Sequence, residues 1–291
     1  MSQSYSPQAL SDMSSSPMRV QSSTPLDVAI QRRDRKHDLA ASLSREWMNN
    51  NVFATAWFNA MSITFPLGEQ FFIESVRHFR DDISDPKLKQ EVMNFFSQEG
   101  VHRREHQRYN ELLCEQRGYD LDALERTARR RQKWIRKNVP AIEQLAGTVA
   151  MEHITAVLAE KILDDDQFMQ GVDPAMAKLW LWHAAEEMEH KAVAFDVFRA
   201  VGGTEKMRKA ALRRGTLLLA LDIFRNLRHM LRADGKLWSA GVWLQGFRFL
   251  FAEGGLLRDR RPAYSEFFQD GFHPWQQDNS ALLEKWKLQQ Q

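Results

Sequence analysis

The run Trp180-Leu181-Trp182-His183-Ala184-Ala185-Glu186-Glu187-Met188-Glu189-His190-Lys191-Ala192-Val193-Ala194-Phe195 decides how the rest of this sequence is read. Written on a helix, His183, Glu187 and His190 fall at i, i+4 and i+7 and so share one face. Two imidazoles and a carboxylate aimed the same way make half of a metal site. The flanking Trp180, Ala184, Val193, Ala194 and Phe195 mark the helix as buried. Ionisable groups in a core are costly unless they are paired or coordinated. A surface helix with an acidic patch is the plain alternative, and the remainder of the chain decides between the two.

That remainder is helical in character. Leu, Ala, Phe, Met and Trp supply most of the apolar content of the 291 residues, and alternating Val/Thr runs are nearly absent. The length suits one large domain or two small ones. A formal net charge of +2 points to no partner class. The single cysteine, Cys114, excludes an intrachain disulfide and suits a reducing cytoplasm; it reads as a buried structural thiol. No apolar run approaches the roughly 18 residues of a membrane span. The N-terminus lacks the regions of a signal peptide, so the chain reads as soluble and cytoplasmic.

Residues 1–26, rich in Ser, Gln, Pro and Met, are expected to form a disordered leader. A basic amphipathic helix is predicted over 27–50, with Arg32, Arg33, Arg35 and Lys36 outward and Ile30, Leu39, Leu43 and Trp47 inward. An aromatic-rich helix over 52–80 carries a kink or restart at Pro66. Asp85-Pro86 opens a long helix that Gly118 stops, and Asp120 caps a strongly basic one ending before Pro140. A helix from Pro140 to about Leu163 follows. Asp173-Pro174, an N-cap followed by Pro at the first helical position, opens a helix to Gly202-Gly203. Between 201 and 262, thirteen Lys/Arg face five Asp/Glu, with Trp and Phe interleaved. The expected fold is all-α: a ferritin-like four-helix core within a metal-binding domain over 27–202, preceded by an N-terminal helix, with a helical C-terminal extension over 203–291.

Four of the middle helices carry candidate ligands. They are Glu69; Glu99-Gly100-Val101-His102, with His106 one turn further; Glu152; and His183, Glu187 and His190. Two Glu-x-x-His pairs are unremarkable by count, and their order carries the weight. A Glu, then Glu-x-x-His 30 residues on, is followed by a second Glu and then Glu-x-x-His 35 residues on. Those gaps suit two antiparallel helix hairpins. A Glu from each of two helices and Glu-x-x-His from each of the other two is how a bundle holds two iron or manganese ions. Hard carboxylate donors with few imidazoles and no thiolate favour Fe, Mn or a mixed pair.

Alternatives remain at two positions. Glu74 could stand in for Glu69, though about 140° separates them on a helix, and Glu160 could stand in for Glu152. His153 points away from Glu152 and reads as a packing residue or a partner of a ligand. His106 is a ligand, a ligand's hydrogen-bond partner or a gate. Glu186 and Glu189 read as ion-pair partners, and His37, His78 and His229 as surface or packing residues.

The runs Phe65-Pro66-Leu67-Gly68-Glu69, Gln98 to His106, Glu152 to Ala156 and Trp182 to Lys191 resemble the bacterial family catalogued as predicted metal-dependent hydrolases. The resemblance covers most of 27–280, including Phe272-His273-Pro274-Trp275, and it implies a bound metal. The ligand order is also similar to that of ferritin-like di-iron N-oxygenases acting on arylamines. Those carry an extra His one turn before the final Glu-x-x-His, which His183 matches.

Two functions of different class follow. In the favoured one, two Fe ions use dioxygen, with an external electron donor, to oxidise a small apolar or lipid-like substrate within a shell of Phe65, Phe72, Phe95, Trp182 and Phe195. In the alternative, the metals, Zn among them, activate water to cleave an ester or phosphoester. Glu187, His183 and His106 are expected nearest the chemistry. The basic run at 126–137 comes with no base-reading motif, so no nucleic-acid partner is expected. Leu217–Phe224 and Val242–Phe251 are expected to pack on the bundle; peripheral contact with the inner membrane is the second reading for them.

Overall fold

The computed structural model describes residues 20–290, and the regular structure among them is helical, without strands. In chain order the helices are α1 (Ala40–Leu43), α2 (Val52–Arg77), α3 (Pro86–Arg117), α4 (Leu121–Asn138), α5 (Ala141–Asp164), α6 (Pro174–His190) and α7 (Val193–Ala200). Then come α8 (Glu205–Ala233), α9 (Ala240–Phe251), α10 (Arg261–Glu266) and α11 (Ser280–Leu288). The stop signals act as their chemistry requires. Asp85 accepts from Leu88 N and puts Pro86 at the start of α3, while Gly118, at φ 67°, ends that helix in the left-handed region. Asp120 and Asp173 cap α4 and α6 in the same manner.

Three sequence expectations need correction. The predicted helix over 27–50 does not form, because only Ala40–Leu43 is helical and residues 20–39 run irregularly across α3 and α6. Side chains of those helices satisfy its backbone: Glu189 accepts from Gln31 N, Glu105 accepts from His37 N, and Gln98 donates to Gln31 O. Ile30, Leu39, Leu43 and Trp47 are buried as expected, but Arg33 turns inward. The leader expected over 1–26 does not hold for its last residues. Residues 1–19 lie outside the described residues, whereas Ser22 N donates to Asp85, Ser23 N donates to Asp196 and Thr24 is buried. The helix expected from Asp173 to Gly202 is broken after His190. At the break the buried Lys191 ammonium donates to Gln277 O and Asn279 Oδ1.

Pro66 sits inside α2 rather than restarting it. Lacking an N–H, it leaves the Ser62 carbonyl without its helical donor. Asn110 Nδ2 on α3 donates to that carbonyl instead, at 3.0 Å. Helices α2 and α3 pack together, as do α5 and α6, and α8 lies over α2 and α5. The basic run of α4 is largely neutralised by carboxylates: Arg126 and Arg129 on Asp122, Arg131 on Asp222 and Arg136 on Glu74. On α8 and α9, Leu217, Leu221, Phe224, Leu244, Phe247 and Phe251 are exposed. No helix among the described residues is long and apolar enough to cross a membrane.

Candidate metal centre

Every residue from Trp182 to Phe198 is buried, so His183, Glu187 and His190 face protein and not solvent. Their helix meets Glu69 of α2, Glu99 and His102 of α3 and Glu152 of α5, all buried. Glu187 Oε1 stands 3.1 Å from His183 Nε2, 3.5 Å from His102 Nδ1 and 3.7 Å from His190 Nε2. His190 Nε2 is 3.2 Å from Glu99 and 3.5 Å from Glu152. Ligand-type atoms of Glu69, Glu99 and His102 also converge within 4.8 Å, as do those of Glu99, Glu187 and His190 and those of His102, His183 and Glu187.

Most of these atoms have no hydrogen-bond partner. Both oxygens of Glu69, Glu99 and Glu152 are unpartnered, and so are Glu187 Oε2, His102 Nδ1 and His190 Nε2. Buried polar groups are satisfied in the great majority of cases, so such a concentration at one point needs a cause. A pair of divalent cations would satisfy it, and the donor set of carboxylates and imidazoles fits hard or borderline ions.

The surrounding residues fix which nitrogen each imidazole presents. His102 Nε2 donates to Glu186 Oε2 at 3.0 Å, which leaves Nδ1 as the nitrogen toward the cluster. Gln98 Nε2 donates to Glu189 and to Gln31 O, so its Oε1 must accept, and His190 Nδ1–H supplies the proton at 2.9 Å. His190 Nε2 is thereby free to bind. The third chain begins at the Ser62 carbonyl. Asn110 gives its amide hydrogens there, so its Oδ1 accepts from Ser62 Oγ at 2.7 Å. Ser62 Oγ then accepts from His106 Nδ1, and His106 Nε2 accepts from His183 Nδ1 at 2.8 Å. His183 is left with an unprotonated Nε2 beside Glu187. Outer hydrogen bonds of this kind hold metal-binding imidazoles in their tautomer and orientation.

The electrostatics of the cluster favour exchange of protons for cations. Burial, and then the neighbouring carboxylates, raise the Glu69, Glu99 and Glu152 carboxyls above their ordinary range. Burial opposes a charge on His102, yet its bond to Glu186 and the nearby Glu187 carboxylate outweigh that and hold it up to about 10. His190 is raised likewise by Glu187 and Glu152, against its desolvation. Burial and the adjacent His102 depress His183 to about 4, and it is neutral at pH 7. His102 so raised keeps a proton at neutral pH that an incoming ion must displace, and protons compete for the raised carboxyls too, so metal affinity is lost as pH falls. Titration calorimetry in two buffers of different protonation enthalpy is expected to show proton release near pH 7. The affinity should climb by about tenfold per pH unit for each proton displaced. A pH-independent affinity with no proton release would contradict this electrostatic picture.

The open alternatives separate cleanly. Glu74 is half-exposed and paired with Arg136, and Glu160 is paired with Arg260 outside the cluster. His153 packs against Phe267, with its Nε2 3.3 Å from Tyr264 O. His106 commits both ring nitrogens to Ser62 and His183, which makes it the residue that orients His183. His78 is exposed and His229 half-buried, while His37 is buried against Trp182. Cys114 is buried, and desolvation pushes its thiol up to about 12. Sequence reasoning missed Gln98, Ser62, Asn110 and Arg33. The Arg33 guanidinium bridges Glu186 and Glu189 at 3.1 and 2.6 Å and so braces the carboxylate that orients His102.

A family model described as predicted metal-dependent hydrolase matches residues 31–278 of the chain. No curated protein and no solved structure matches it.

Proposed function

Because the chain belongs to the family of predicted metal-dependent hydrolases, we propose that Glu69, Glu99, His102, Glu152, His183, Glu187 and His190 hold two divalent metal ions in a metal-dependent enzyme. The observation carrying this reading is the convergence of unpartnered carboxylates with three imidazoles whose binding nitrogens are already selected. Hydrolysis of an ester or phosphoester accords with the family description. Bound ions would lower the pKa of a water and polarise the scissile group. The protein's own part is to orient and exclude. His106 holds His183, Gln98 holds His190, Glu186 holds His102, and Phe65, Phe95 and Trp182 close over the rings. Glu69, His183 and Glu187 border a cavity and are the donors that a substrate would meet first.

A second reading, oxidation of an apolar substrate by dioxygen at two irons, is favoured by the donor set itself, four carboxylates to three imidazoles, all on helices. It would require an electron donor. Metal analysis of protein purified without added metal, followed by ester and phosphoester assays with and without dioxygen, separates the two. Turnover indifferent to dioxygen is the expected result. Substrate-dependent oxygen uptake after ferrous loading would transfer the assignment to the second reading, and a chain that binds no metal under any loading would overturn both.

A further inference from the structure

Between α2, α4, α5 and α8 lies a cavity of about 630 Å3 that reaches the metal-binding cluster at Glu69, His183 and Glu187. Volumes of roughly 300–1,000 Å3 accommodate a ligand of twenty or more heavy atoms. Glu69 is buried, borders the cavity and has no partner for either oxygen, so the cavity leads to an unsatisfied part of the cluster. Glu99, His102, Glu152 and His190 do not border it. The reactive end of any occupant is therefore defined by three of the seven candidate ligands.

Much of the wall is apolar, with Phe65, Phe71, Phe72, Met151, Leu218 and Leu219 among the lining residues. The buried Asp222, whose ion pair with Arg131 joins α4 to α8, also lines it, as does Trp134, whose indole is exposed. Two glycines, Gly68 and Gly147, leave room in the wall, whereas a Cβ at Gly215 would meet Met151 Cε at 2.5 Å. Gly is the weakest helix former after Pro, yet Gly68, Gly147 and Gly215 sit inside helices and all border this cavity. A Cβ at Gly147 would meet only Phe71 Cε1, at 3.9 Å, and one at Gly68 only Phe72 Cζ, at 3.8 Å. Both are ordinary contacts. Packing within the protein does not require glycine at either position, so a side chain longer than alanine there would take up cavity space.

We infer that this cavity binds an apolar substrate of the acyl- or alkyl-chain class, which presents its reacting group to Glu69, His183 and Glu187. This deepens the proposed function and rests on it for the identity of the reacting end. The chain-binding wall is made of protein residues alone.

The test uses the full chain, metal-loaded and metal-free, titrated with butanol, octanol and dodecanol by displacement of a polarity-sensitive naphthalene dye. Affinity should rise about threefold to fourfold per added methylene until the cavity is filled. Gly147→Leu should weaken dodecanol binding at least tenfold and butanol binding far less, with unchanged metal content, while Gly147→Ala binds nearly as the parent does. Leu218→Trp, narrowing the cavity from the opposite wall, gives the same expectation should the first variant fold poorly. Binding independent of chain length, or dodecanol affinity untouched by both bulky variants, would overturn the inference. Chain-length dependence in a protein that holds no metal would sustain the cavity and sink the metal centre, so the two failures are distinguishable.

Discussion

Glu187→Ala is expected to empty the metal centre while leaving the helices intact. Glu187 is the carboxylate on which three imidazoles converge, at 3.1, 3.5 and 3.7 Å. Burial disfavours its charge, but His190, His102 and His183 together hold its carboxyl well below the usual range. It therefore offers anionic oxygen more readily than Glu69, Glu99 and Glu152, whose carboxyls are raised. Its loss removes a donor from both halves of the cluster. The fall in metal affinity should exceed the roughly 10–100-fold that loss of an outer hydrogen-bond partner costs. Alanine is the strongest helix former, so far-ultraviolet circular dichroism should hardly change. His190→Ala should behave alike. Plasma mass spectrometry on the purified variants reads the outcome directly, and full metal content in both would dismantle the assignment of these seven residues.

Arg33→Ala is expected to cost about 3–5 kcal/mol of stability, a large share of what a domain possesses. The Glu186 and Glu189 side chains have no solvent exposure, and Arg33 is the cation that pairs with both. Removing it leaves two buried carboxylates, one of them the partner of His102, without their guanidinium counter-charge. Arg33→Lys should recover part of the loss, since a single ammonium keeps the charge but not the forked geometry that serves two acceptors. Urea unfolding of the metal-free proteins provides the comparison. A loss below about 1 kcal/mol would mean that the pair behaves like a surface ion pair.

The converging residues were legible because helical spacing converts directly into direction. Glu99 and His102, or Glu187 and His190, can only point together if the helix forms, and Asp85, Gly118 and Asp173 announce those helices by their capping chemistry. Glu69 and Glu152 were harder, since each had a rival that only the Arg136 and Arg260 ion pairs disposed of. The N-terminal segment misled for a physical reason. Leu39, Leu43 and Trp47 carry helical spacing, but the backbone before them is satisfied by Gln98, Glu105 and Glu189, which lie 67, 68 and 158 residues away in sequence from the groups they bond. Local pattern holds no record of partners so distant. The same limit hid Ser62 and Asn110, ordinary polar residues whose role exists only where α2 and α3 touch.

Pro66 shows what this arrangement gives up. A proline within a helix costs about 3 kcal/mol relative to alanine, and α2 carries it near the middle of 26 residues. The missing amide hydrogen releases one carbonyl, and through Asn110, Ser62 and His106 that carbonyl determines the nitrogen by which His183 faces Glu187. The backbone is thus less robust than its length permits, at the spot where robustness would compete with chemistry. Screening this chain for thermal tolerance would tend to select against that residue, and the hardier protein so obtained would lose the donor relay that sets the His183 tautomer.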